Sequence, residues 1–90
     1  MENESIEKNL SEIKIYSITT LIENHSVPDS HATLERGLAV MKAYDMYHRH
    51  KDNGDNCIVF IDTWKNEMLI KTEYINREGN LAIWFESHDV

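Results

Sequence analysis

Apolar positions divide the chain into three segments of different period. In the first, residues 2–23, Ile6, Leu10, Ile13, Ser17 and Leu21 follow helical spacing along one stripe. Ile15, Ile18 and Ile22, at i, i+3 and i+7, form a second stripe well round the cylinder. Six β-branched residues among the ten of 13–22 favour a strand instead. No turn residue separates that stretch from the helical start Glu4-Ser5-Ile6-Glu7-Lys8, so the pattern predicts a helix over 3–24.

The only proline, Pro28, sits in a polar break, Asn24-His25-Ser26-Val27-Pro28-Asp29-Ser30, and biases Val27 away from helix. A second helix is predicted over 30–51, with Asp29, Ser30 or Thr33 as candidate caps. Leu34, Leu38, Val40, Met41, Tyr44 and Tyr47 then share a broad apolar face, with Glu35, Lys42 and Arg49 opposite. Gly37 lies in that face and implies close approach of another backbone. Asn53 and Gly54 suit a left-handed helix end.

The third segment reads as strands over 57–62, 68–75 and 81–87, joined at hairpin length, with Gly79 supplying a positive φ. A four-residue loop at 77–80 would send Ile70, Thr72, Tyr74, Ile83 and Phe85 to the helices, and Glu73, Ile75 and Trp84 to the other face. The expected fold is α+β, two N-terminal helices packed on a three-stranded antiparallel meander. If the first segment is partly a strand, the alternative is a four-stranded sheet with one main helix.

Ninety residues make one domain, 1–90. Sixteen acids against nine bases give a net charge of −7, which argues against direct nucleic-acid contact and against an anionic membrane surface. The excess is spread evenly: residues 1–45 carry eight acids and four bases, and residues 46–90 eight and five. The longest apolar run, Cys57-Ile58-Val59-Phe60-Ile61, is far short of the roughly 20 residues a membrane helix needs. With one cysteine and no secretory pattern at its start, the chain is expected to be cytoplasmic.

Candidate chemistry is thin. Asp45 and His48 share a helix face and make half of a metal site at most, and Cys57 opens an apolar strand where a thiol behaves as a small hydrophobe. Asp52-Asn53-Gly54-Asp55-Asn56 lacks the closing glutamate of a calcium loop. The expectation is therefore no enzyme, no cofactor and no metal. The apolar surplus carries more: Ile15, Ile18 and Ile22, Trp64 at a hairpin turn, and Trp84 beside Glu73 on the outer sheet face are candidate partner-binding residues.

The expected function is that of a small acidic binding protein acting by protein–protein contact, as an inhibitor or regulatory subunit. Its partner would have a basic surface. In size and charge alone the chain is similar to phage-encoded inhibitors of host enzymes and defence systems, and no motif identifies a family. The alternatives are an acidic nucleic-acid mimic and a self-assembling homodimer.

Overall fold

A computed structural model describes residues 13–23 and 25–87. It contains strands β1 (Lys14–Ile22) and β2 (His25–Thr33), helix α1 (Arg36–Asp52), then strands β3 (Cys57–Lys65), β4 (Met68–Ile75) and β5 (Leu81–Glu86). The strands form one antiparallel sheet in the order β2-β1-β3-β4-β5. This corrects the expected architecture: the described residues hold one helix and five strands. Neither two helices on a three-stranded meander nor a four-stranded sheet describes them. No described helix is long and apolar enough to cross a membrane.

The helix predicted over 3–24 is a strand at Lys14–Ile22; residues 3–12 and 24 lie outside the described residues. The reason is nonlocal. β1 pairs with β3 in an unbroken ladder from Lys14↔Lys65 to Ile22↔Cys57, and with β2 on its other edge, so its β-branched residues gain partners on both sides. The Ile15/Ile18/Ile22 stripe is thereby split between the two faces of one strand. Ile18 is buried towards α1, whereas Ile15 is exposed on the opposite face.

From His25 onward the polar break also belongs to the sheet. Pro28 pairs with Thr19 on β2, an edge strand, where a missing N–H is tolerated. The helix consequently begins at Arg36 rather than near 30. Glu35 occupies the cap position without a side-chain cap bond, while Thr33 Oγ1 accepts from the Glu35 N–H at 3.2 Å. Gly54, at φ +79, follows the last turn, and its N–H donates to the Lys51 carbonyl at 3.0 Å.

The face that α1 buries is narrower than its sequence implies. Ala39, Ala43 and Tyr47 pack on Ile18, Val59, Ile61 and Ile75, whereas Leu34, Leu38 and Met41 are exposed. Alanines at the contact let the helix lie close to the sheet, which supplies the large side chains. Gly37 has no such role, because a Cβ built there meets nothing within 4 Å. Tyr44 and Tyr47 tie the helix to the β4–β5 turn, their hydroxyls donating to the carbonyls of Gly79 (2.9 Å) and Arg77 (3.4 Å).

β3 continues to Lys65 and turns through Asn66 and Glu67, at φ 52 and 64, so Trp64 is a strand residue rather than a turn residue. Two successive positive φ values match the twist of a two-residue hairpin, but glutamate is poorly suited to the second. Glu67→Gly is expected to raise stability by roughly 0.5–1 kcal/mol, visible as a higher urea midpoint at unchanged slope. A lower midpoint would place the strain elsewhere.

The β4–β5 turn is one residue longer than expected, since Ile75 pairs with Leu81. Asn76 organises it, its Oδ1 accepting from the N–H groups of Glu78 and Asn80 at 3.1 and 2.9 Å. The extra residue reverses the predicted faces near the turn. Glu73 and Ile75 are buried on the α1 side, and Tyr74 lies on the opposite face with Trp84. A bulge between Thr72 and Glu73 then restores Thr72↔Phe85 and Lys71↔Glu86.

Candidate protein-binding face

α1 covers one face of the sheet, and among the described residues no other element packs on the opposite face. In an antiparallel sheet with one covered side, outward positions are normally polar. Here several are large and apolar. Ile15 faces Trp64 directly across β1 and β3. Phe60, Tyr74 and Trp84 form an aromatic cluster across β3, β4 and β5, with ring centroids 5.6 to 6.5 Å apart.

The bulge opposite Thr72 and Glu73, whose extra residue is Trp84 of β5, concentrates this surface. It lets the consecutive residues Trp84 and Phe85 both line one shallow depression, together with Phe60, Leu69 and Thr72. Trp84 is 68% exposed, Ile15 46% and Phe85 43%. Contiguous apolar surface of this kind is uncommon on a chain that remains alone in water.

The polar groups of the face are largely satisfied by one another. Trp64 Nε1–H donates to Ser17 Oγ at 3.1 Å, and Thr72 Oγ1–H donates to Asp62 Oδ1 at 2.7 Å. A partner covering these groups would not strand them without hydrogen bonds. Trp84 makes no side-chain hydrogen bond among the described residues, which leaves its indole N–H for an acceptor on whatever covers it.

No family model, curated protein or solved structure matches this chain. The residues and their placement therefore carry the functional argument by themselves.

Of the residues singled out from sequence, the structure brings Ile15, Trp64 and Trp84 to this face and sends Ile18 and Glu73 to the other. Ile18 is a core residue, so the Ile15/Ile18/Ile22 stripe is not a surface. Ile22, half-buried, ends β1 opposite Cys57 and His25. Glu73 is buried, its Oε2 accepting from Arg36 Nη2 at 2.6 Å, and it is not beside Trp84: its cross-strand partner is Ile83. Sequence reasoning missed Phe60, Leu69, Tyr74 and Phe85. The period-2 series Ile58, Phe60, Asp62, Trp64 was a readable signal for the first of these, masked by the continuous apolar run over 57–61.

The candidate catalytic groups are dispersed. Asp45 pairs with Arg49 at 3.2 Å, and His48 packs on the rings of Tyr44 and Tyr47. His50 Nδ1 lies 3.0 Å from Asp55 Oδ2. Burial, with Asp55 adding to it, pushes the Cys57 thiol up from its ordinary value, away from the thiolate a nucleophile needs. Among the described residues, no group of three His, Cys, Asp or Glu side chains could hold a metal ion.

Proposed function

We propose that this chain is a protein-binding module that engages a partner protein with the sheet face opposite α1. The observation that carries this reading is the aromatic cluster in which Trp84 stands exposed on half-buried Phe60 and Tyr74, where an antiparallel sheet would ordinarily present polar groups. Tryptophan and tyrosine make effective interface anchors because they bury large area for little conformational entropy. Ile15 and Trp64 extend the patch to the β1 side.

Charge favours a partner whose contact surface is basic around an apolar centre. The chain carries −7, while Asp62, the one carboxylate on the patch among the described residues, is already bonded to Thr72. The net field then speeds encounter, and the apolar centre sets the lifetime of the complex. A nucleic-acid mimic would instead need rows of carboxylates on its contact surface, and among the described residues the patch carries Asp62 alone.

Trp84→Ala tests the reading. Because the side chain is mostly exposed, the melting temperature should change little, whereas truncating an interface anchor typically costs about 2 kcal/mol or more, roughly 30-fold in affinity. A partner captured by the wild-type chain and then purified should show that loss on titration. Undiminished binding by both Trp84→Ala and Ile15→Asp would overturn the assignment. Sedimentation of the chain alone tests the homodimer: Trp84-dependent self-association would make the partner a second copy.

A further inference from the structure

At one end of the sheet, on the α1 side, lies a cleft whose charge opposes that of the chain as a whole. Lys14, Arg36, Lys65 and Lys71 line it with Tyr16 and Thr63. These are four of the nine lysines and arginines in a chain of net charge −7. The space they enclose is about 290 Å3.

Two features distinguish this from a scatter of surface lysines. The first is register. Lys14 stands directly opposite Lys65 in the β1–β3 ladder, and the next rung on the same face is Tyr16, Thr63 and Lys71. Like charges directly opposed across antiparallel strands are destabilising. Among the described residues neither lysine makes an ion pair that would relieve the repulsion.

The second is Glu73, one rung further in, opposite Ile61. Its side chain is 5% exposed, and its Oε2 holds Arg36 Nη2 at 2.6 Å while Oε1 has no partner. A carboxylate buried with half its acceptor capacity unused is costly. Its effect is to fix the Arg36 guanidinium at the wall of the cleft. Glu86, paired with Lys71 across β4 and β5, is the carboxylate in the lining itself. Four cations against these two carboxylates leave the region positive.

We propose that this cleft binds a small phosphorylated molecule through its phosphoryl group. Lys14 and Lys65 flank the anion, Arg36 presents a forked donor, and the hydroxyls of Thr63 and Tyr16 supply neutral donors. A carboxylate needs one guanidinium; a phosphoryl dianion, with three terminal oxygens, uses this larger donor set. The ligand is small for an electrostatic reason. An extended polyanion would lie against the acidic remainder of the chain, whereas a compact one inside the cleft feels chiefly the charges within a Debye length, about 8 Å at physiological salt. The anion also removes the Lys14–Lys65 repulsion, so binding and stability are coupled.

The test is a titration of the isotopically labelled full chain with inorganic phosphate at constant ionic strength, followed by amide NMR shifts. Saturable shifts at Lys14, Tyr16, Thr63 and Lys71 are expected in the millimolar range, with acetate binding at least about tenfold more weakly. Lys14→Gln/Lys65→Gln should weaken phosphate binding by about tenfold or more, while Lys42→Gln/Arg49→Gln should leave it unchanged. The first double variant should also melt no lower than wild type without phosphate; if it does not fold, Lys71→Gln carries the same test. Glycerol phosphate binding more tightly than inorganic phosphate would assign an organic phosphomonoester, and equal affinity would assign phosphate itself. Absence of saturable shifts, equal affinity for acetate, or affinity unaltered by loss of the lysines would overturn the proposal. It is independent of the sheet face opposite α1, on which none of these residues lies.

Discussion

Ile61→Ala is expected to cost about 3–5 kcal/mol of folding stability and to lower the melting temperature by roughly 15–30 °C. Ile61 is fully buried, pairs with Ile18 across β1–β3, and faces a helix that offers mainly Ala39 and Ala43 at the contact. Those methyl groups cannot expand into the space left behind, so the cavity stays open and the full penalty applies. A domain of this size has only about 5–15 kcal/mol in total. Ile83→Ala is the control: that side chain is more than half exposed, and less than about 1 kcal/mol should be lost. Chemical denaturation followed by tryptophan fluorescence measures both. Equal losses at the two positions would contradict the described core.

The second large effect concerns Arg36 and Glu73. Arg36→Ala should destabilise by roughly 2–3 kcal/mol, below the range for fully buried pairs because the arginine is half exposed. The loss is not the value of the ion pair; it is the penalty for leaving the Glu73 carboxylate in the core without a counter-charge. Glu73→Met removes that burden and should be neutral or stabilising, alone or combined with Arg36→Ala. The double variant recovering the stability that Arg36→Ala loses is the diagnostic outcome. Should Glu73→Met destabilise as much as Arg36→Ala, the pair would be a net contributor and not a stability cost retained to hold the guanidinium.

The candidate surface was legible only in part. Surplus isoleucines and tryptophans announce apolar surface in need of a partner, but helical spacing assigns it the wrong members. Helical projection grouped Ile15 with Ile18; in a strand an odd separation puts two residues on opposite faces, one towards solvent and one in the core. Trp84 was expected away from the helix and lies there, although its neighbours are Phe60 and Tyr74. The cleft lined by Lys14, Arg36, Lys65 and Lys71 left no trace along the chain. Its members come from two strands in register, a third strand and the start of the helix.

What the sequence determined by itself is local. The strand at Met68–Ile75, the Gly79 turn and the glycine-ended helix follow from residues a few positions apart, through alternation, turn chemistry and left-handed φ. The tertiary structure decided everything that depends on partners distant in the chain. Residues 14–22 have a helical stripe and a β-branched composition, and the choice between them lies with the β3 residues, 35 to 51 positions away, that pair with them. One additional residue in the 76–80 turn and one bulge at Thr72/Glu73 then decide which side chains face α1 and which face outward. Alternation has a period of two, so a shift of one residue exchanges core for surface, and only the assembled sheet sets that shift.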